Sequence, residues 1–295
     1  MNRFAVYTAC IGNYDEILQP IVVDDRFDYY LFTDDVRASH KGVWQVRKVE
    51  YRNADMTRIA RYVKTHPEEL LYDYSATLWI DSNIQIQSGW IYDRCIELFQ
   101  KGVQFASIQH PVRDCAYDEA FKILEIGLDR ERVVIRWCHK LRKEHYPTHC
   151  GLYETNVLFR INDVQTKTLD AFWWKQIDDF SRRDQLSIGY VLWKSKVNVE
   201  LFLPSNENTR NSDLIKRWEH TELEHVEGRR KVSLSRGELN RIKCRIKMPE
   251  KKERHKAFHY WLYQFPVWME YVFLFFWEIG VGVEFRLRKM SNRHK

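Results

Sequence analysis

The sequence predicts an α/β fold, and three observations support this class. Short apolar runs rich in branched and aromatic residues recur along the first 200 residues. Two of these runs stop abruptly at acids, Asp34 and Asp81. Stretches with a helical pattern separate the runs, which is the arrangement of a sheet flanked by helices. At 295 residues, 44% of them hydrophobic, the chain is long enough for one large domain and an appendage.

The apolar runs and the helical patterns give the expected order of elements. Strands are predicted over residues 3–10, 29–35, 44–51, 76–83, 104–110 and 157–160. Helices are predicted over residues 55–64, 91–101, 117–134, 136–145, 169–180 and 182–193. Asp55 is a plausible N-cap for the first helix. After Pro204 the polarity changes, and a short helix is predicted to end at His220.

The run that ends at Asp81 is the most informative stretch. Ligands of open α/β sheets bind beyond the carboxyl ends of the strands, which is where Asp81 and Asn83 fall. Oxygen ligands at this place suit Mg²⁺ or Mn²⁺ holding a diphosphate. The alternative is an ordinary surface turn after a strand.

Phosphate-binding glycine motifs are missing from the sequence. It contains neither G-x-G-x-x-G nor G-x-x-x-x-G-K-[ST], which disfavours dinucleotide dehydrogenases and P-loop kinases. Phosphate must then be bound by a metal and by cationic side chains. Arg58, Arg61 and Lys64 follow at intervals of three on the helix before Asp81. The alternative is a solvated basic face, which we favour for Arg61.

Further polar groups follow in the second half. His110 lies at a strand end before a proline, where a catalytic, a substrate-binding and a structural role are all open, and nearby Arg113 favours substrate binding. The loop over residues 146–156 is rich in groups able to bind a sugar. Asp184 at a helix start is either a partner of the helix dipole or a base in the cleft.

The charge of the chain is concentrated near its end. Residues 229–256 contain twelve Lys or Arg and three Glu, although the formal net charge of the whole chain is only +6. Twelve of the 29 residues at 257–285 are aromatic, and this block contains Glu270 and Glu278. The pattern favours a helix lying on an anionic membrane surface. A spanning helix and a buried oligomer contact are the alternatives. Nucleic-acid binding is disfavoured because no matching motif is present.

The cysteines indicate the compartment. None of the six forms a C-x-x-C pair, so zinc knuckles and thioredoxin chemistry are not expected. The first residues have too short an apolar stretch for a signal peptide. We predict a reduced, cytoplasmic setting, with peripheral attachment to the inner face of the membrane.

Several motifs occur together in the order of one known family. They are Y-T-A-x-I-G-x-Y-D at 7–15, F-T-D at 32–34, R-x-x-R-x-x-K at 58–64, L-W-I-D at 78–81, G-L-Y-E-x-N at 151–156 and R-D-Q-L-S at 183–187. The chain resembles the glycosyltransferase-like family formerly described as a domain of unknown function. That family includes plant Golgi proteins linked to pectin and mucilage, and proteins of bacterial surface-polysaccharide loci. The resemblance covers residues 3–200 and implies a GT-A-type, Rossmann-like mixed sheet.

The resemblance also implies roles for particular residues. The metal would be held by Asp81, Asn83 and a late histidine, His220, with His225 as the second choice. Asn83 stands where the commonest GT-A pattern has an acid, so it supplies an oxygen with less charge. Asp184 stands where GT-A enzymes often have the acid that faces the acceptor. In an inverting enzyme Asp184, and after it Glu154, would be the base that deprotonates the acceptor hydroxyl, whereas in a retaining enzyme they would position acceptor or donor hydroxyls. The resemblance further implies donor binding by Thr8, Ala9, Ile11, Phe32, Thr33, Asp34, Arg58, Lys64 and Asp81. From their places in the sequence, His110 is also predicted to bind the donor, and Arg113 and Asn156 to bind the acceptor.

The predicted function is therefore sugar transfer from a nucleotide-diphosphate donor, most simply a UDP-sugar, to a glycan or lipid-linked glycan. Residues 1–228 would form the transferase domain, and residues 229–295 a helical basic and aromatic tail that associates with membranes. Two alternatives are a non-catalytic nucleotide-sugar or glycan-binding module and a lipid hydrolase. The second arises because one branch of the family is linked to ceramide cleavage. No zinc-ligand or Ser-His-Asp pattern in the sequence supports it.

Overall fold

A computed structural model describes residues 2–220 and Ile246. The predicted basic and aromatic tail at 229–295 and the alternative metal ligand His225 lie outside the described residues, apart from Ile246. The Ile246 side chain is 2% exposed and belongs to the hydrophobic core. No helix of the described residues is long and apolar enough to cross a membrane.

An eight-stranded mixed sheet forms the centre of the fold, in the order β3-β4-β2-β1-β5-β8-β7-β9. The strands β4, β2, β1 and β5 are parallel, whereas β8 is antiparallel to both β5 and β7. This confirms the predicted mixed Rossmann-like sheet. The strands of the large sheet are β1 (Phe4–Cys10), β2 (Phe27–Thr33), β3 (His40–Lys41), β4 (Trp44–Lys48), β5 (Ala76–Ile80), β7 (Phe105–Gln109), β8 (Tyr153–Ile161) and β9 (Glu200–Leu201).

The central strands are buried on both faces. All residues of β1 and of β5 are buried, as expected for parallel strands covered by helices on each side. Tyr7 and Trp79 point into one core, and Val6 and Leu78 point into the other. The helices of the described part are α1 (Met56–Thr65), α2 (Pro67–Leu70), α3 (Trp90–Gln100), α4 (Ala116–Glu125), α5 (Glu131–Lys143), α6 (Val164–Asp179) and α7 (Asp184–Ser195).

Helix α1 begins as predicted. The side chain of Asp55 accepts a hydrogen bond from the Thr57 N–H at 3.0 Å and so satisfies one unpaired donor of the first turn. The single helix predicted at 117–134 is wrong, because the chain forms α4 and α5 with a turn between them. Gly127 in this turn has φ +68°, a left-handed conformation that ends helices.

Two further sequence predictions are corrected. The predicted short helix ending at His220 is instead the strand β10 (Ile215–Arg217), which pairs antiparallel with β6 (Ile84–Ile86). Strand pairing prevails because β6 offers its backbone groups to this segment. The predicted loop 146–156 ends earlier than expected, because β8 begins at Tyr153 and its first residues already belong to the sheet.

Candidate functional site

The carboxyl ends of β1, β2 and β5 meet at one edge of the sheet. Hydrogen bonds join the turns that follow these strands. The Gly12 N–H donates to Asp34 Oδ1 at 2.8 Å, and the Ser82 hydroxyl donates to the Asp15 carboxylate. The acids that end two predicted strands therefore lie at a common edge, as the sequence predicts for Asp34 and Asp81.

A buried ion cluster lies beside this edge. The Lys64 ammonium on α1 lies 2.9 Å from Asp81 Oδ1 and 2.6 Å from Asp184 Oδ2, and it donates to the Thr155 carbonyl at 2.9 Å. Arg61 Nε lies 3.0 Å from Asp184 Oδ1. We call Lys64, Arg61, Asp81 and Asp184 the Lys64 cluster. It unites residues that are up to 123 positions apart, from Arg61 to Asp184, because α1, β5 and α7 converge here.

The members of the Lys64 cluster differ in exposure. The side chain of Lys64 is fully buried and that of Asp184 is 2% exposed. The side chain of Asp81 is 25% exposed and that of Arg61 is 14% exposed. Asp81 and Arg61 are therefore the members with some solvent-exposed surface. Arg61 pairs with a buried carboxylate, so the solvated basic face favoured for it is wrong.

The charges of the cluster act on its pKa values. Burial by itself raises the pKa of Asp184, but Arg61, Lys64 and Arg183 outweigh this effect and hold it well below its usual range. The pKa of Asp81 is likewise lowered by Lys64 and Arg61 against the effect of burial. Burial and Arg61 lower the pKa of Lys64, while the two carboxylates oppose that shift. Both carboxyls are thus held in their ionised form.

Hydrogen bonds fix the orientation of both carboxylates. Asp81 Oδ1 accepts from Trp79 Nε1 at 2.7 Å, and Asp184 Oδ2 accepts from the Thr155 hydroxyl at 2.8 Å. The Asp81 N–H donates to the Asn156 carbonyl at 2.8 Å, which connects β5 to β8. The first residues of β8 thus support the cluster through backbone and side-chain groups.

Arg58 lies away from the Lys64 cluster. Its guanidinium donates to the carbonyl oxygens of Asp178 at 3.2 Å and Phe180 at 2.8 Å, and it also contacts the carbonyl of Ile177. These are groups at the carboxyl end of α6. In this structure Arg58 binds a helix terminus, where a cation is favourable.

The three predicted metal ligands, Asp81, Asn83 and His220, have different partners in the structure. Asn83 is buried and its side-chain amide donates to the Trp218 carbonyl at 2.8 Å. His220 Nδ1 lies 2.9 Å from both carboxylate oxygens of Asp15, and its ring packs on Tyr14. Of the three, Asp81 fits a metal best. Its hydrogen bonds within the described part of the chain occupy only Oδ1.

Glu154 and Asn156 at the start of β8 contact a later loop. The Thr209 hydroxyl donates to Glu154 Oε2 at 2.8 Å, and Arg210 lies 3.7 Å from Glu154 Oε1. Asn156 Nδ2 donates to the same hydroxyl at 3.3 Å. Asn156 Oδ1 is buried and accepts no hydrogen bond from the described residues.

His110 and Arg113 form one unit at the end of β7. His110 Nδ1 accepts from the Arg113 N–H at 2.9 Å, and the Arg113 guanidinium reaches both His110 Nε2 and the buried carboxylate of Glu119. Burial, followed by Arg113 and Arg210, lowers the pKa of His110 to about 4. The imidazole is therefore neutral at physiological pH.

A cavity of about 280 Å³ lies at the carboxyl ends of β1, β2 and β4. Its polar lining includes Asn13, Thr33, Asp35, Arg37 and Lys41. Among the residues predicted to bind the nucleoside, Thr33 lines this cavity. Thr8, Ala9, Ile11 and Phe32 are buried in or next to their strands, and Asp34 is exposed at its edge.

The geometry of the site does not by itself assign the chain to a family, but a comparison with known families does. A family model of the TOD1/MUCI70 glycosyltransferase-like domain matches residues 1–220. The chain belongs to this TOD1/MUCI70 family. No curated protein matches the chain.

The TOD1/MUCI70 match covers every element described above, including β6, β10 and His220, beyond the residues that carry the sequence resemblance. It supports a general role as a glycosyltransferase. Three side chains of the site escaped the sequence analysis, namely Trp79, Thr155 and Thr209. Thr155 lies within the motif G-L-Y-E-x-N, so the position x of that motif was the available signal.

Proposed function

We propose that the protein transfers a sugar from a nucleoside diphosphate sugar, most simply a UDP-sugar, to a hydroxyl of a glycan or lipid-linked glycan in surface-polysaccharide synthesis. The observation that carries this proposal is the Lys64 cluster at the carboxyl edge of the sheet. Ligands of α/β sheets bind at this edge. Here the edge combines accessible cationic and anionic groups with a neighbouring cavity.

The cavity supports binding of the nucleoside part of the donor. Its volume of about 280 Å³ suits a nucleoside better than a whole nucleotide sugar. The hydroxyl of Thr33 and the carboxylate of Asp35 supply groups that hydrogen-bond to ribose or base. Asn13 lies in the turn whose Asp15 contacts Ser82, the residue after Asp81. In this proposal the diphosphate of a donor in the cavity extends past this turn towards Asp81.

The leaving nucleoside diphosphate carries growing negative charge as the glycosidic bond breaks. Stabilising such charge with fixed cations is usually the largest contribution to catalysis. Arg61 is the partly exposed cation of the cluster, and Asp184 at 3.0 Å orients it. Lys64 is fully buried, so it acts on the diphosphate through the charge and position of Asp81.

A divalent metal, Mn²⁺ or Mg²⁺, is part of the proposal. Such ions take one or two protein carboxylates and complete their shell with phosphate oxygens and water. Asp81 Oδ2 would be the protein ligand. When bound, the ion would neutralise charge on the diphosphate.

Asp184 was predicted to be the catalytic base, with Glu154 as the alternative. Asp184 is 2% exposed, and its pKa is held well below the usual range. A carboxylate bound by Lys64, Arg61 and Thr155 is a weak proton acceptor. We therefore propose that Asp184 positions the two cations, and that transfer does not depend on its basicity.

Acceptor binding is proposed for the side of the site formed by β7 and β8. Asn156 Oδ1, which is buried and has no donor among the described residues, is suited to accept a hydrogen bond from an acceptor hydroxyl. The neutral His110 and Arg113 form a rigid polar pair at the end of β7. Attachment to an anionic membrane surface from the cytoplasmic side is proposed for residues 229–295, on composition alone.

A thermal-shift screen of the full chain tests this function. Purified protein is mixed with UDP, GDP and CDP and their sugars, with and without Mn²⁺. A ligand at about 100 times its Kd stabilises a protein by roughly 2.7 kcal/mol. We expect a shift with UDP compounds that grows with Mn²⁺ and is lost in Asp81→Ala. No shift with any nucleotide would overturn the proposal.

Transfer assays separate an enzyme from a binding module. If the donor binds tightly but is neither hydrolysed nor transferred to any glycan, the non-catalytic module becomes the better description. Release of UDP from the donor on addition of an acceptor glycan supports the transferase.

A further inference from the structure

A second group of metal-ligating side chains lies outside the Lys64 cluster. Cys115 is the N-cap residue of α4, Asp118 lies in the first turn of the same helix, and His149 lies in the loop before β8. One ligand atom from each residue lies within 4.8 Å of those of the other two. Among the described residues, this is the one group of three histidine, cysteine or acidic side chains that comes this close.

We propose that Cys115, Asp118 and His149 form a binding site for a transition metal of the Zn²⁺ class. A thiolate, an imidazole nitrogen and a carboxylate oxygen are the three ligand types that Zn²⁺ uses. The thiolate favours Zn²⁺ over Mg²⁺ or Mn²⁺, which prefer oxygen ligands. Three protein ligands leave a fourth position for water or for a further ligand. This site is independent of the proposed donor site at Asp81.

Asp114 holds the His149 side chain and the loop that carries it. His149 Nδ1 lies 2.8 Å from Asp114 Oδ1, and the Gly151 N–H donates to the Asp114 carbonyl at 2.9 Å. A carboxylate bound to one ring nitrogen is the usual support of a metal-ligating histidine, because it fixes the tautomer and raises the basicity of the other nitrogen. The backbone of His149, with φ +52°, lies in the left-handed region, so the loop holds this residue in an unusual conformation.

Exposure gives the ion a path to the site. Cys115 is buried, at 3% exposure, whereas Asp118 and His149 are exposed. Bond lengths of about 2.0 Å to nitrogen or oxygen and about 2.3 Å to sulfur require ligand atoms roughly 3.3–3.5 Å apart in a tetrahedral site. The exposed side chains of Asp118 and His149 can rotate by the small distance that separates 4.8 Å from this range. The buried thiol provides the fixed point.

A bound ion would tie α4 to the loop that leads into β8. This loop is followed directly by Glu154, Thr155 and Asn156, the residues that contact Asp81, Asp184 and Thr209. The metal would therefore hold the start of β8 in register with the rest of the edge. It would stabilise the folded domain because the unfolded chain lacks the preformed site.

Cobalt binding tests the site directly. The full-length protein is stripped of metal with a chelator and titrated with Co²⁺, whose bond to a thiolate gives an intense charge-transfer band in the near ultraviolet. We expect one such ion per chain, displaced by Zn²⁺, and a rise in Tm on addition of Zn²⁺. Cys115→Ser should abolish the band, and His149→Gln and Asp118→Asn should each weaken binding at least tenfold.

Two controls keep the result specific. Cys150→Ser alters the neighbouring thiol and should leave the band and the Kd unchanged. Asp81→Asn alters the proposed donor site and should also leave them unchanged, so failure of one proposal is distinguishable from failure of the other. Because His149 is exposed, His149→Gln tests the site even if Cys115→Ser does not fold. A missing thiolate band, or a band that persists in Cys115→Ser or is lost in Cys150→Ser, would overturn the proposal.

Discussion

Single side chains at the sheet edge differ in exposure, and with it in the effect that we expect from replacing them. Asp81 is a quarter exposed, and one of its carboxylate oxygens is bound by Lys64 and Trp79. Asp184 is almost fully buried between cations. Replacing the first should mainly change ligand binding, whereas replacing the second should mainly change stability.

Asp81→Ala should abolish transfer while the protein remains folded. The substitution removes the carboxylate proposed to bind the metal and diphosphate, while Lys64 keeps Asp184 and the Thr155 carbonyl as partners. Donor turnover and Tm are measured together. Asp73→Ala is the matched control, because Asp73 is a half-exposed acid before the same strand and pairs only loosely with Arg3 at 3.9 Å. Activity of Asp81→Ala within a few-fold of wild type would refute the site.

Asp184→Asn should reduce the free energy of unfolding by about 3–5 kcal/mol, since it removes the anion from a buried cluster of cations. Urea unfolding measures this loss. The pH profile of kcat/KM tests whether Asp184 acts as a base. Because the pKa of Asp184 is held below the usual range, it should cause no fall in rate between pH 8 and pH 5. A limb in that range that disappears in Asp184→Asn would show that Asp184 is the base after all.

His110 should make stability depend on pH. Its pKa is about 4 in the folded protein, against an ordinary value of 6.5, so acid favours the unfolded state. Its stabilising contribution is complete above pH 6.5 and is lost as the pH falls towards 4, a change of about 3 kcal/mol. His110→Asn keeps an acceptor for the Arg113 N–H but cannot titrate. The difference in unfolding free energy between wild type and this variant should shrink on acidification, and a constant difference would contradict the assignment.

A second buried ion pair, Arg160 with Asp170, joins β8 to α6. Arg160 on β8 donates to both carboxylate oxygens of Asp170 on α6 at 2.9 Å, and it also donates to the carbonyl of Lys64 at 2.6 Å. The Tyr7 hydroxyl on β1 donates to the same carbonyl at 2.9 Å. The end of α1, and with it the Lys64 side chain, is thus held by three other elements.

Arg160→Met should cost about 3–5 kcal/mol of unfolding free energy, because it leaves the Asp170 carboxylate buried without its partner. Arg3→Met is the control, since Arg3 is half exposed and its pair with Asp28 lies in solvent, where ion pairs contribute little to stability. Chemical denaturation of both variants measures the two losses. Equal losses would show that the Arg160–Asp170 pair contributes no more to the free energy of unfolding than an exposed pair does.

At the scale of the whole molecule, residues 229–295 are richer in basic and aromatic residues than the domain that precedes them. Within residues 229–295 the structure describes only Ile246, whose side chain belongs to the core. A deletion that tests membrane attachment should therefore keep Ile246. Removal of residues 250–295 meets this condition and takes away the whole aromatic block.

The protein lacking residues 250–295 should lose binding to vesicles that contain phosphatidylserine, because aromatic burial and lysine or arginine attraction act together at such surfaces. Co-sedimentation with these vesicles measures the change, and neutral phosphatidylcholine vesicles are the control. The nucleotide-induced shift in Tm should remain in the shortened protein. Undiminished sedimentation would rule out this segment as the anchor.

The sequence by itself determined the long buried strands at the centre of the sheet and the acids that follow two of them. Continuous apolar runs such as Ala76–Ile80 can only be satisfied when both faces are covered, and an acid that follows such a run must lie at the edge of the sheet. The motifs that carry the family resemblance lie at these ends, on the helix with Arg58, Arg61 and Lys64, and at the starts of β8 and α7, so the family was predictable as well. Gly127 was the local signal that could have separated α4 from α5.

Only the tertiary structure decided which cation meets which acid. Arg58, Arg61 and Lys64 are equally spaced along α1, yet one binds the end of α6 and two enter the cluster. That outcome depends on how α1 is rotated against β1 and α6, which local spacing does not encode. The sequence also did not predict that Cys115 and His149, which are 34 residues apart, lie close together. Contacts over this separation arise from packing and not from periodicity.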